Sequence, residues 1–199
     1  MQYWNQLKYE QMPYPTNVKD PDSDFAVHGD VRRAGCGLCS ICMVVDRLCL
    51  TPLSLEECRD LSVSVGANQE IGTDMKILAP AVAERFGLRL QTTDDLTQLI
   101  DCLHSGGAAV VNTGGDQGAY TGTFSNGGHY IVAISESGGE FCLLDPSWTA
   151  DKYQAEPRRS RVRQQGKWLY APAAVLQRDT ASRSPAYYLF NRKSDLQTK

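Results

Sequence analysis

Three residues of this sequence have the types and settings that nucleophilic acyl chemistry uses: Cys36, His129 and Asp145. Cys36 stands between Gly35 and Gly37 where the composition turns to Cys, Ile, Met, Val and Leu on spacings of three and four, as far as Cys49. A cysteine that opens a helix meets unpaired N–H groups and the positive end of the helix dipole, and both favour thiolate over thiol. The two glycines allow a tight turn there and the close approach of a scissile peptide. His129 begins a strand directly after Gly127 and Gly128, and Asp145 ends the following strand just before Pro146. A hairpin turning around Ser137 and Gly138 places His129 directly opposite Asp145 on one face of the sheet, about 5 Å apart at Cβ. A carboxylate so placed holds an imidazole in one tautomer and stabilises its charged form. A His and an Asp that merely flank a turn carry the same signal. A helix-opening Cys can also be plain core, as Cys39, Cys42 and Cys49 are expected to be.

The elements that hold these residues are legible as helices first and strands later, which predicts an α+β fold rather than alternating βαβ units. Residues 1–35 are rich in Tyr, Pro, Asp and Asn without a sustained period and read as an irregular arm. A largely buried helix spans Cys36 to Cys49. Ser54 with Glu57 signals a capping box for a second helix to about Val63. Thr73 or Asp74 caps a third that runs to Phe86, and a further amphipathic helix spans Asp94 to His104. Strands are expected over Leu88–Gln91, Ala108–Val111, His129–Ile134, Glu140–Asp145 and Ala186–Phe190. The Gly-, Thr- and Asn-rich stretch from Thr113 to Gly128 reads as a mobile loop bordering a cleft before His129.

Composition narrows the function classes. The chain has 199 residues, 42% hydrophobic and 22% charged, enough for one globular domain over 1–199 with a real core. The net charge of −3 offers no electrostatic footprint for nucleic acid. The longest apolar stretches are far shorter than the roughly 20 residues that span a bilayer, and mean hydropathy is −0.35. The N-terminus shows no signal-peptide pattern, so a cytoplasmic location is expected. Seven cysteines, an odd number in a chain that needs no staples, are expected to be free thiols.

The segment Ala-Gly-Cys-Gly-Leu-Cys-Ser-Ile-Cys-Met-Val-Val at 34–45 resembles the nucleophile segment of the bacteriocin-processing (double-glycine leader) papain-like cysteine peptidases, commonly Gly-Cys-Gly-Pro-Thr-Ser-x-x-Met-Val. Gly128-His129-Tyr130-Ile131-Val132 is similar to that family's Gly-His-Tyr-Ile-Val strand, Leu144-Asp145-Pro146 to its Asp-Pro strand end, and Tyr3-Trp4-Asn5-Gln6-Leu7 to its Asn-Gln segment. The four pieces occur in the family's order and cover residues 3–146; residues 150–199 lie outside the match. The resemblance implies a papain-like fold in which a nucleophile helix packs on an antiparallel sheet. It implies Cys36 as nucleophile, His129 as general base and acid, Asp145 as orienter and Gln6 as oxyanion donor, with Gln11 a rival for that last role. A neutral Gln amide suits the role because it donates to a developing oxyanion without bringing a charge. Leu38 and Cys39 stand where the family has Pro-Thr. The substrate implied is a peptide or protein, cut after paired glycines in that family, with no metal or organic cofactor. A different acyl transfer on cell-wall or other peptides, and a catalytically silent binding module of the same fold, are the alternatives.

Cys36-x2-Cys39-x2-Cys42 is also part of an iron–sulfur ligand run, but Asp46 stands where the next Cys is required. Cys36-Gly-Leu-Cys39 looks like a thioredoxin-type pair without the strand that should precede it, and a disulfide between the two is a means of silencing the nucleophile. His28 and His104 read as ordinary surface histidines. Arg158, Arg159, Arg161 and Arg163 read as a solvated basic loop, and Trp148 as a residue that could line the site.

Overall fold

The computed structural model describes residues 1–193. Its centre is helix α3 (Cys36–Leu48), in which Leu38, Ile41, Met43, Val44 and Val45 are all fully buried. A helix apolar on every side must be surrounded, and each such side chain taken from water contributes roughly 1.5–3 kcal/mol. One side of α3 meets α4 (Leu55–Ser64) and α5 (Met75–Arg85); another lies on the sheet. The capping box of α4 is formed, with Ser54 Oγ accepting from Glu57 N at 3.2 Å, and Asp74 caps α5. Both helix starts lie where the sequence signals put them.

The sheet has seven antiparallel strands in the order β1-β7-β2-β3-β4-β6-β5. They are β1 (Leu88–Thr93), β2 (Ala108–Thr113), β3 (His129–Ser137), β4 (Glu140–Leu144), β5 (Arg163–Gln165), β6 (Trp168–Pro172) and β7 (Tyr187–Arg192). Alternation along β2 divides two cores: Ala108 and Val110 face α3, whereas Ala109 and Val111 face α6 (Leu96–His104) and α7 (Ala173–Thr180). The sheet is therefore covered by helices on both faces, and the expected helix-on-antiparallel-sheet architecture is present.

Three features depart from the sequence expectations. The arm contains short helices at Gln6–Lys8, α1 (Asp24–His28) and α2 (Val31–Ala34), started by Asn5, Ser23 and Asp30, whose side chains accept from backbone N–H groups. Helices this short are made by their caps rather than by a hydrophobic period, so no period announced them. The elements β5, β6 and α7 were not foreseen: β5 is three polar residues at a sheet edge, and α7 starts from Pro172 without a side-chain cap. The glycine-rich loop, expected to be mobile, is tied down along its length. Asp179 accepts from Thr123 N and Phe124 N and from the Tyr120 hydroxyl, while Arg158 and Arg161 donate to Gly122 O and Thr121 O. The basic stretch is thus partly a clamp on this loop.

Candidate active site

Cys36 owes its position to a corner between two helices. α2 ends at Ala34 and α3 begins at Cys36, with Gly35 alone between them. Gly35 has an ordinary φ of −90°, so it is not needed for its turn. A Cβ there would lie 2.4 Å from Val31 O, and one at Gly37 would lie 2.8 Å from Thr73 Cβ. These glycines permit close packing of the helix corner, which corrects the expectation of a tight turn. Gly35 supplies no side-chain cap, so the first N–H groups of α3 are left without one. Arg32 O, which a continuous helix would pair with Cys36 N, accepts instead from Gln6 Nε2 at 2.8 Å. Among the described residues Cys36 N–H has no hydrogen-bond acceptor.

His129 opens β3 opposite Thr113, whose hydroxyl donates to His129 O at 3.0 Å. Its Nε2 lies 2.7 Å from Asp145 Oδ1, and Asp145 is fully buried. The meeting was expected, but the register that produces it was not. β3 and β4 turn through Gly138 and Gly139, both at positive φ, and pair Ser137 with Glu140. Continued unchanged, that register would set His129 opposite Trp148 and turn Asp145 to the other face. A bulge between Ala133 and Ser135 shifts the pairing to Val132–Leu144, which puts Ser147 opposite His129 and returns Asp145 to its face, two residues along.

The Asp145 carboxylate is saturated. Oδ1 accepts from His129 Nε2, from Ser147 N at 2.8 Å and from Ser147 Oγ at 3.0 Å. Oδ2 accepts from Lys152 Nζ and from the Tyr153 hydroxyl, both at 2.6 Å. Burial alone would raise its pKa, but Lys152 and His129 outweigh burial and hold the carboxyl well below its usual range. With Nε2 engaged by Asp145, the other ring nitrogen of His129, Nδ1, is left for the Cys36 thiol, which lines the same cleft. Burial would depress the imidazole pKa; Asp145, aided by Cys36, raises it to about 9. Burial would raise the thiol pKa, yet the influence of His129 brings it below its ordinary value. Both shifts favour the thiolate–imidazolium pair.

Gln6 is buried beside this group. Its backbone N–H donates to Pro146 O at 2.8 Å, its Oε1 has no partner among the described residues, and Nε2 keeps one hydrogen beyond that given to Arg32 O. Tyr3 and Asn5 fasten the same segment, Tyr3 to Asp145 O at 2.5 Å and Asn5 to Trp148 O at 2.8 Å. Gln11 is exposed and stands apart from the group. Trp148 packs into the core behind Asp145, and His28 and His104 lie elsewhere, His104 on Glu136 at 2.6 Å. Cys39 and Cys42 are buried in α3, and all seven cysteines are free thiols. Sequence reasoning missed Ser147, Lys152 and Tyr153, which lie beyond the Asp-Pro motif and carry no recognisable spacing. Cys36 and His129 open on a cleft of about 700 Å³, with Gly72 and Asp74 on one wall and Gly128 and Arg183 on the other.

No protein-family model matches the sequence, and no curated protein does. Solved structures do share the fold. The peptidase domain of Streptococcus ComA, a bifunctional ABC transporter of a quorum-sensing pathway, superposes with a TM-score of 0.51 at 14% identity, covering 79% of this chain and 91% of its own. A protein described as a C39-like peptidase from Bacillus anthracis superposes with a TM-score of 0.56 at 12% identity, covering 80% of this chain and 90% of its own. The fold is that of papain-like C39 peptidases. Among the described residues no helix is long and apolar enough to cross a membrane.

Proposed function

We propose that this protein is a cysteine peptidase that hydrolyses peptide bonds through Cys36, His129 and Asp145. The observation that carries the reading is a helix-opening thiol and an imidazole lining one cleft, with the imidazole held by a buried, fully hydrogen-bonded carboxylate. His129 keeps Cys36 as thiolate, and the thiolate attacks the substrate carbonyl carbon. The oxyanion that forms takes donors from Cys36 N–H and Gln6 Nε2. His129 gives its proton to the leaving amine as the C–N bond breaks. It then takes a proton from water, which attacks the thioester; the C–S bond breaks, releasing the carboxylic acid and restoring the thiolate–imidazolium pair. Asp145 stays ionised throughout and compensates the imidazolium.

The test is alkylation of the reduced protein with iodoacetamide across a pH series, with the modified cysteine located by peptide mass spectrometry. Expected is one fast site at Cys36, reactive well below pH 8.5 and slowed by His129→Ala. Cys36→Ser should abolish peptide turnover while the protein still melts cooperatively. Seven thiols reacting slowly and alike, or turnover surviving Cys36→Ser, would sink the assignment.

A further inference from the structure

The wall of the cleft opposite α5 carries a guanidinium with little to bind. Arg183 lies in the turn between α7 and β7, in the part of the chain outside the sequence resemblance, and lines the cleft with Cys36 and His129. Arginine has five N–H donors. Here Nη2 makes one long bond to Gly114 O at 3.3 Å, and among the described residues the buried Nε has no partner. The head lies across Gly128, the residue before His129: a Cβ on Gly128 would come 2.6 Å from Nη2 and 3.5 Å from Cζ.

No carboxylate among the described residues pairs with Arg183, and the nearby acids are committed elsewhere. Asp94, under the same turn, accepts from Ser184 Oγ and Ala186 N, both at 2.8 Å, and so holds the backbone of the turn. On the facing wall Glu70 pairs with Lys19 at 3.0 Å, and Asp74 accepts from Lys76 N at 2.9 Å as a helix cap. The turn is further fixed by Asn112 Nδ2 to Pro185 O at 3.1 Å and Gln117 Nε2 to Ser182 Oγ at 3.0 Å. The fold thus presents an under-used cation on a braced turn beside the reacting pair. A buried or half-buried donor left unmatched is costly, and a guanidinium fork matches a carboxylate.

From this we infer that Arg183 forms a carboxylate-binding subsite, so that the preferred peptide carries a Glu or Asp side chain within a few residues of the bond cut. The inference rests on the peptidase reading above. Its test uses acetyl-tripeptidyl acyloxymethyl ketones, matched pairs with Glu or Gln at each of the three positions, and the second-order rate constant for alkylation of Cys36 followed by intact-protein mass spectrometry. Expected is a preference of about tenfold or more for Glu at one position, shrinking as salt is raised. Arg183→Gln should bring the Glu probe down to the rate of its Gln partner, and Arg183→Lys should retain part of the preference. Equal rates at all three positions in the wild type, or a Glu preference that survives Arg183→Gln, overturn the subsite and leave the peptidase reading intact. Failure of every probe to label Cys36 overturns both. If Arg183→Gln does not fold, the wild-type Glu-to-Gln ratio and its salt dependence decide the matter.

Discussion

Lys152 Nζ lies 2.6 Å from Asp145 Oδ2, the carboxylate oxygen that His129 does not use. The carboxylate is therefore shared between two cationic partners, and Tyr153 completes its second oxygen at 2.6 Å. Two effects follow. The ammonium fixes the carboxylate plane, and hence the imidazole that depends on it. It also compensates part of the negative charge that raises the His129 pKa, so that without Lys152 the imidazolium is held more strongly.

Lys152→Met is accordingly expected to move the alkaline limb of the kcat/KM–pH profile upward from about 9, and to lower its plateau on the order of tenfold to a hundredfold through loss of alignment. Lys152→Arg, which keeps the charge, should restore the limb. A lysine that only braced the fold would lower the plateau and leave the limb where it was. The measurement is kcat/KM on a peptide substrate from pH 5 to 10.

Asp145→Asn tests the opposite sign. Burial pushes the His129 pKa down, and Asp145 is the main influence that overcomes it. With a neutral amide in its place, the imidazolium loses its counter-charge, the thiolate loses its partner, and the alkaline limb should fall from about 9 to below the 6.5 of an ordinary histidine. Lys152 is left facing an amide, so the variant should also lose roughly 3–5 kcal/mol of stability, the usual cost of removing one member of a buried ion pair. Urea unfolding and the pH–rate profile read the two effects separately.

Much of this arrangement was legible in the sequence, and the exceptions have physical causes. α3, α4 and α5 were readable because apolar spacing, Ser54 and Asp74 are local signals, and those signals agree with the packing. That His129 and Asp145 share a face was readable from the hairpin, but for an incomplete reason. A simple turn was expected to set the two residues opposite each other, whereas a two-glycine turn and a bulge together place them two residues apart on the same face. Bulges have no sequence signature at this level, and one extra residue reverses which side chains face the site. Ser147, Lys152 and Tyr153 were not readable at all. They reach Asp145 because the chain after Pro146 folds back upon it, and nothing in their spacing records that return.

The resemblance implies Gln6, with Gln11 a rival because of the long gap from Gln6 to Cys36, and the two differ in space. Gln6 is buried with Nε2 on Arg32 O, one helical turn before Cys36; Gln11 is exposed. Gln6→Ala is expected to reduce kcat by about 10²–10³, with KM changed far less, because the donor is used only when charge develops on the oxygen. Gln11→Ala should leave both constants unchanged. A Gln6→Ala variant with full kcat would remove the side-chain donor from the proposed oxyanion hole and leave the backbone N–H of Cys36 alone in it.

The proton count of the Cys36–His129 pair gives a prediction for stability that needs no substrate. In the folded protein the His129 pKa is raised from 6.5 to about 9 and the Cys36 pKa is lowered from 9.0. Taken alone, the raised histidine contributes stability that is complete below pH 6.5 and is lost as pH rises through about 9. The lowered cysteine does the reverse, since the folded thiol gives up its proton at a lower pH than the 9.0 of the unfolded one. The two shifts therefore oppose each other between pH 6.5 and 9, and the wild type should lose less stability across that range than the histidine alone would dictate. Cys36→Ala removes the compensating term. Asp145 still raises the His129 pKa, so the variant should lose stability as pH rises from 6.5, with a slope approaching 1.4 kcal/mol per pH unit at most. Urea midpoints of the two proteins at pH 6, 7.5 and 9 measure it. Parallel profiles would mean that thiol and imidazole titrate independently, and the activated pair would then have to be given up.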